Sequence, residues 1–70
     1  MNEFLEKVAE ILEMESVTPD FEFRTVADWD SMKGFSIIVL MESDYGKVMS
    51  VEDFLKCQTV ADLATYAGVI

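Results

Sequence analysis

The sequence contains no histidine and a single cysteine, Cys57. One cysteine cannot form a disulfide within the chain, and protein zinc sites are built mainly from cysteine and histidine. We therefore expect no internal disulfide and no metal site. We also expect no catalytic residue, because no nucleophile has a histidine base beside it. Cys57 is interpreted as a small buried hydrophobic residue, since no basic neighbour would activate it.

Basic residues are also scarce, with 5 lysines and arginines against 14 acidic residues and a net charge of -9. Nucleic-acid binding depends on neutralising phosphates with Lys and Arg, so the composition argues against a nucleic-acid partner. It also disfavours anionic membrane surfaces. The expected partners are proteins with basic docking patches, because opposite charge speeds the encounter.

Long apolar runs are missing, and the longest, Ile37–Met41, is far too short to span a bilayer. Met1–Met14 alternates charged and apolar residues and lacks the apolar region of a signal peptide. We therefore expect no membrane insertion and, by default, a reduced cytoplasmic protein. The 70 residues are 51% hydrophobic, which is too apolar for disorder. They predict one small domain, 1–70, and a monomer, with too little chain for a deep enzymatic cleft.

The spacing of apolar residues in the sequence predicts helices, and no segment shows convincing strand alternation. Asn2–Met14 places its apolar residues on one face and its charges on the other. Three further helices are predicted, and between the first two lies a long loop, Glu15–Trp29, whose aromatic residues should pack over the core. The fold class is all-α, a small four-helix bundle with one short helix. The further helices are Ser31–Tyr45, Val51–Lys56 and Val60–Ala67.

The second helix has two distinct faces. The outward face combines two apolar and two small residues, which is unusual for a solvated helix surface, and Met32 and Val39 are therefore interpreted as partner-facing. Gly34 costs about 1 kcal/mol relative to Ala in a helix interior, so its place on the core face predicts close approach of another helix. The predicted core face holds Gly34, Ile37, Ile38, Met41 and Tyr45, and the outward face holds Met32, Ser36, Val39 and Ser43.

The most informative stretch is Asp28-Trp29-Asp30-Ser31-Met32, where the long loop meets the second helix. On its own, Asp30-Ser31 is equally compatible with a simple helix N-cap. However, Asp30-Ser31-Met32 resembles the Asp-Ser-Leu motif of acyl carrier proteins, with Met in place of Leu. Thr59-Val60-Ala61-Asp62-Leu63 resembles the start of the family's fourth helix. With the apolar-then-acidic second helix and the first helix, the resemblance covers nearly the whole chain.

This resemblance implies a function for Ser31. A phosphopantetheinyl transferase would use coenzyme A to attach 4'-phosphopantetheine to the Ser31 hydroxyl, and acyl groups would then be carried as thioesters on the arm. A helix N-terminus, with unpaired N–H groups and a positive dipole end, suits the phosphate. By family analogy Asp30 helps to present the site. The other implied partners are an acyl ligase or acyltransferase and synthase enzymes with basic docking patches.

Two departures from the family refine these expectations. Lys33 and Ser36 stand where carriers of fatty acid biosynthesis tend to have carboxylates, which predicts a specialised pathway with dedicated partners. Docking is assigned to Asp30, Met32, Val39 and Glu42. In the family, long acyl chains can retreat between the second and third helices, and Phe54 and Cys57 map near that cavity. The bulk of Phe54 predicts a narrow cavity and short or polar cargo.

Three alternatives stay open or are rejected at this point. An acidic helical interaction module without a prosthetic group would show the same helices. A D-alanyl carrier, whose motif similarly reads Asp-Ser-Met, or a peptidyl carrier is also compatible, although the glycines of peptidyl carrier sites are absent here. A calcium loop from Asp28 fails, because Met32 and Lys33 occupy positions that need an oxygen ligand and a turn glycine, and Val39 replaces the bidentate Glu.

Overall fold

Four α-helices and one short 3-10 helix lie within residues 2–70, the part of the chain that the computed structural model describes. Met1, the first residue of the predicted domain 1–70, lies outside it. No strand occurs in this range, so the predicted all-α fold is confirmed, and the last three helices have the predicted bounds. The helices are α1 (Asn2–Leu12), α2 (Ser31–Tyr45), α3 (Val51–Lys56) and α4 (Val60–Ala67), with the 3-10 helix (Phe23–Thr25) in the long first loop.

The core forms where the apolar stripe of α1 packs against α2 and α4. Phe4, Val8 and Leu12 are buried, as their spacing predicts. Phe4 meets Tyr45 of α2 edge-on, with ring centroids 5.4 Å apart. No helix within residues 2–70 is both long enough and apolar enough to cross a membrane. The other buried hydrophobic residues are Ala9, Val17, Phe23, Ile37, Leu40, Met41, Met49, Phe54, Cys57, Val60, Leu63, Ala64 and Ala67.

The long first loop packs over the core, as its aromatic residues predict. Phe23 is completely buried, and Phe21, Val26 and Trp29 are partly buried against the core. The backbone carbonyls of the loop also accept hydrogen bonds from the start of α4. The N–H group of Val60 donates to the carbonyl of Phe21 at 3.0 Å, and that of Ala61 donates to Pro19 at 2.7 Å. These bonds satisfy donors that the first turn of a helix leaves without an intrahelical partner.

Capping side chains explain why α3 and α4 begin where predicted. The Ser50 hydroxyl accepts from the backbone N–H of Asp53 at 3.0 Å. At the start of α4, Thr59 and Asp62 form a reciprocal capping box. The Asp62 carboxylate accepts the backbone N–H groups of Gln58 and Thr59, and these bonds hold the pKa of Asp62 below its usual value. The caps are local, so the sequence alone specifies them.

The core face of α2 differs from the prediction at three residues. Gly34, Ile37 and Met41 are buried as expected, whereas Ile38 and Tyr45 are only half-buried. Leu40 is buried although the prediction leaves it out. The reason is that α2 packs against α1 as well as α3, so it buries a wider arc than a single-partner helix. The outward residues Met32, Ser36, Val39 and Ser43 are all exposed, as predicted.

The predicted end of α1 at Met14 is wrong, because the helix ends at Leu12. Glu13 adopts a left-handed backbone conformation with φ of 60°. Its N–H donates to the carbonyl of Glu10 at 3.1 Å, and the N–H of Met14 donates to Ala9 at 2.9 Å. These two bonds form a Schellman motif, which usually has glycine at the left-handed position. Glutamate at that position gives no sequence signal for the helix end.

The strained conformation of Glu13 yields a stability prediction. We compare Glu13→Gly with Glu13→Ala, since both lose the exposed carboxylate and differ only in backbone freedom. The glycine variant should have the larger free energy of unfolding by about 1 kcal/mol, because a left-handed residue with a Cβ costs about that much. Urea denaturation measures the difference.

The control position is Glu10, which is exposed within α1. There the order should reverse, with Glu10→Ala more stable than Glu10→Gly by about 1 kcal/mol. If alanine were also the more stable residue at position 13, the left-handed end of α1 would be contradicted.

Candidate functional site

Ser31 is the first residue of α2, and its side chain is exposed. Asp30 is the N-cap, with extended backbone, and its carboxylate accepts the backbone N–H of Lys33 at 3.0 Å. The cap fixes the direction in which the loop enters the helix, and Ser31 is exposed in the first turn that follows. A helix start of this kind carries partial positive charge and suits an anionic group.

An apolar groove of about 520 Å³ begins at Ser31 and runs between α2 and α3. The groove was expected from the sequence only in part. Phe54 lines it as predicted, but Cys57 does not. The chain leaves α3 in an extended conformation at Cys57, so that residue is buried with the core instead. The lining residues are Trp29, Ser31, Met32, Gly34, Phe35, Ile38, Val51, Phe54 and Leu55.

Phe54 forms the floor of this groove. Its ring stacks on Trp29, with centroids 6.2 Å apart and planes 10° apart, and lies 5.5 Å from the ring of Phe23. On the α2 side it meets Gly34, where an added Cβ would lie 3.3 Å from both Phe54 Cε2 and Trp29 Cζ2. The predicted reason for Gly34, close approach of another helix, is confirmed, because Phe54 lies on α3. Trp29 packs here as expected for the aromatic residues of the loop.

The rim of the groove is an exposed apolar surface. Met32 is 69% exposed, and Phe35, Val51 and Leu55 are each more than half exposed. Of these four residues, the sequence pattern predicted only Met32 to face a partner. Two of them lie on α3, and nothing in the pattern of either helix alone shows that their apolar residues share one surface. Large exposed apolar patches of this kind mark interaction sites.

The four predicted docking residues do not form one cluster. Asp30 and Met32 flank Ser31, whereas Val39 and Glu42 line a separate shallow depression with Ser43. At a rise of about 1.5 Å per residue, Val39 and Glu42 lie roughly 12 to 16 Å further along α2. All four are exposed. A partner touching all of them would have to extend along most of the helix.

Lys33 is less available to a partner than the sequence suggests. Its ammonium lies 3.4 Å from Glu13 and 3.5 Å from Asp28, and only 11% of its side chain is exposed. Burial opposes the charged form, but the hydrogen bond to Glu13 and the nearby carboxylates outweigh it, so the pKa of Lys33 is raised. The repulsion expected between Lys33 and a basic docking patch is therefore partly neutralised.

Cys57 has the properties of a core residue. It is 6% exposed, and its thiol donates weakly to the carbonyl of Asp53 at 3.7 Å. Burial raises the pKa of the thiol, which disfavours the reactive thiolate. The interpretation as a buried hydrophobic residue is confirmed. Among residues 2–70, no group of three or more potential ligand side chains is arranged to hold a metal ion.

The site therefore combines a hydroxyl at a helix start with an apolar groove beside it. The helix start suits an anionic group, and the apolar groove suits an apolar one. A family model described as a phosphopantetheine attachment site matches residues 2–67. No curated protein and no solved structure is significantly similar to the chain.

The cap at Asp30 can be tested by substitution. Asp30→Ala removes the bond to the Lys33 N–H and should lower the free energy of unfolding by about 1 kcal/mol. Asp30→Asn loses the charge but keeps an oxygen acceptor, so it should remain within a few tenths of a kcal/mol of the parent, by the same ranking. Urea denaturation of both variants is the measurement. An unchanged Asp30→Ala variant would mean that Asp30 does not cap α2.

Proposed function

Because the chain belongs to the phosphopantetheine attachment-site family, we propose that it is an acyl carrier with its prosthetic group on Ser31. Proteins of this family bear a covalent 4'-phosphopantetheine group, are not catalytic themselves, and deliver substrates to partner enzymes. When bound, the group supplies a thiol on which cargo is held as a thioester. The protein's own residues present the attachment hydroxyl, accommodate the cargo and contact the enzymes.

The choice of Ser31 rests on one observation: its hydroxyl stands at the start of a long helix and opens onto the apolar groove. The other serines lack this combination. Ser50 uses its hydroxyl as the cap of the six-residue α3, Ser36 and Ser43 lie within α2, and Ser16 lies in the loop. Ser31 is also within the stretch that the family model matches.

The apolar lining of the groove supports acyl cargo over polar cargo. Eight of the nine residues around it are apolar or glycine, with Ser31 as the exception. A D-alanyl carrier remains the second candidate, because Met32 follows the serine as in the motif of those proteins. An acyl carrier and a D-alanyl carrier can be distinguished by identifying the acid that a dedicated ligase loads onto the protein. Alanine carries a charged amine, which the groove would have to desolvate.

Docking is proposed to combine the exposed apolar rim with acidic charge. Met32 lies next to the attachment serine, and Val39 and Glu42 extend the contact along α2. Asp44, the other late carboxylate of α2, is paired with Lys7 at 2.7 Å. Of the two late carboxylates of α2, Glu42 is therefore the one that we assign to docking. It would face a basic patch on the phosphopantetheinyl transferase and on the enzymes that load and use the cargo.

The weak acidity at the start of α2 supports a specialised pathway. Ser36 is neutral and Lys33 is positive where carriers of fatty acid biosynthesis tend to be acidic, although Glu13 and Asp28 reduce the effect of Lys33. Standard synthase enzymes should therefore bind this carrier poorly. Efficient support of a reconstituted fatty-acid synthase would contradict this part of the proposal.

The attachment of the arm can be tested by mass. With coenzyme A and a broad-specificity phosphopantetheinyl transferase, the protein should gain one phosphopantetheine unit, and Ser31→Ala should gain none. Ser36→Ala, which removes an exposed serine from the same helix, should load like the parent. A parent protein that gains no mass would favour an acidic interaction module without a prosthetic group.

The docking role of Glu42 can be tested against the same transferase. Glu42→Lys should lower kcat/KM by about fivefold or more at low salt, because it places a like charge opposite a basic patch. Glu10→Lys changes the net charge equally on α1, where Glu10 is exposed, and should change kcat/KM less than about twofold. Equal losses in both variants would show that only net charge matters and would remove Glu42 from the docking surface.

A further inference from the structure

The groove beside Ser31 is closed at its base by a cluster of aromatic rings. Phe54 is only 6% exposed, although it lines an open groove. Trp29 stacks on one side of it, and Phe23, which is fully buried, lies 5.5 Å away. Gly34 is in contact range on the α2 side. The ring therefore separates the groove from the core, and a chain lying in the groove can extend inward only if Phe54 moves.

Arg24 holds this ring and the end of α3 together. Its guanidinium lies 5.8 Å from the centroid of Phe54 and 5.3 Å from that of Phe23. It also donates to the carbonyl of Leu55 at 3.5 Å and to the carbonyl of Cys57. A cation at these positions pairs with the negative end of the helix dipole. Because α3 has only six residues, it depends on such tertiary contacts for its position.

We propose that Phe54 is the specificity-determining residue of this carrier and that Arg24 is the positioning residue that keeps it in place. Together they limit the cargo to short acyl groups that lie in the groove and keep long chains out of the core. This inference rests on the proposed function, because the cargo must be tethered at Ser31 to reach the groove. It also favours short apolar cargo over polar cargo, given the apolar lining.

The physical consequence is a dependence on chain length. Each CH₂ group moved from water into an apolar interior is worth about 0.8 kcal/mol. If Phe54 blocks entry, added CH₂ groups stay in water and the thioester stays equally accessible for all lengths. If Phe54 is removed or displaced, longer chains are stabilised by burying their CH₂ groups in the core. The thioester is then protected from attack. The gain should appear as a cleavage rate that falls by roughly two- to fourfold for each further buried CH₂.

The experiment compares butanoyl, octanoyl and dodecanoyl forms of the protein. A broad-specificity phosphopantetheinyl transferase loads each from the corresponding acyl-coenzyme A, and mass spectrometry confirms one group on the full chain. Neutral hydroxylamine then cleaves the thioester, and its rate is followed by mass. The parent should show nearly equal rates for all three lengths. Phe54→Ala should show much slower cleavage of the dodecanoyl than of the butanoyl form.

Two variants test the role of Arg24. Arg24→Met keeps most of the length of the side chain but loses its donors and charge, and should show the same length dependence more weakly than Phe54→Ala. Arg24→Lys restores a cation with a less suitable geometry and should return part of the way to the parent. A merely destabilising substitution would expose the thioester at every length, whereas a displaced floor protects the longer chains selectively.

The matched control is Phe35→Ala, which removes the same side chain from the exposed rim of the groove. It should leave the rates equal across lengths, as in the parent. Phe54→Leu provides a milder variant of the floor if Phe54→Ala does not fold, and should give an intermediate length dependence. Circular dichroism of each variant confirms that the helices are retained.

The outcomes separate this inference from the proposed function. Strong protection of the dodecanoyl form in the parent would overturn the role of Phe54, and so would equal rates at all lengths in both the Phe54 and Arg24 variants. Neither result would affect the attachment of the arm. Failure of the parent to accept any acyl-phosphopantetheine group would instead remove the proposed function itself.

Discussion

The close contact between Gly34 and the ring of Phe54 is the constraint on which the site depends. It brings α3 against α2 near the start of α2, and the groove that opens at Ser31 follows from that approach. A Cβ at position 34 would meet both Phe54 and Trp29 at 3.3 Å. The helix-destabilising effect of glycine, about 1 kcal/mol, is therefore offset by packing that a larger residue would disturb.

The same contact links the proposed attachment site at Ser31 to the rest of the molecule. Trp29 lies two residues before Ser31 in the chain and stacks on Phe54, so the loop, α3 and the start of α2 are fixed relative to one another. Arg24 also fixes the end of α3 by donating to the carbonyls of Leu55 and Cys57. A small domain cannot bury a deep cleft, but it can hold an exposed hydroxyl beside a shallow apolar surface, and this arrangement suits a protein that carries a substrate for other enzymes.

Local signals account for most of what could be predicted. The bounds of α2, α3 and α4 follow from side-chain caps and from Gly46 and Gly68, both with left-handed backbone. The end of α1 could not be predicted, because Glu13 has a left-handed backbone conformation that is uncommon for glutamate. The position of Ser31 at a helix start and the exposure of Met32 and Val39 were both predictable from one helix.

The groove itself required the tertiary structure. Phe35 and Leu55 belong to different helices, and only the packing of α2 on α3 makes them parts of one rim. The burial of Lys33 between Glu13 and Asp28 is similarly non-local, and it changes the charge expected at the site. Arg24 gave no signal in the sequence, because the carbonyls of Leu55 and Cys57 and the ring of Phe54 lie 30 or more positions away in the chain.

The central claim is that the prosthetic group is attached to Ser31, and tryptic peptide mapping of the loaded protein tests it most directly. Cleavage after Arg24 and Lys33 releases residues 25–33, in which Ser31 is the only serine, whereas Ser36 with Ser43, and Ser50, fall in the two peptides that follow. Fragmentation should locate the phosphopantetheine group on Ser31 in the first peptide. A group found on either of the other two peptides, or on Ser16, would contradict the account.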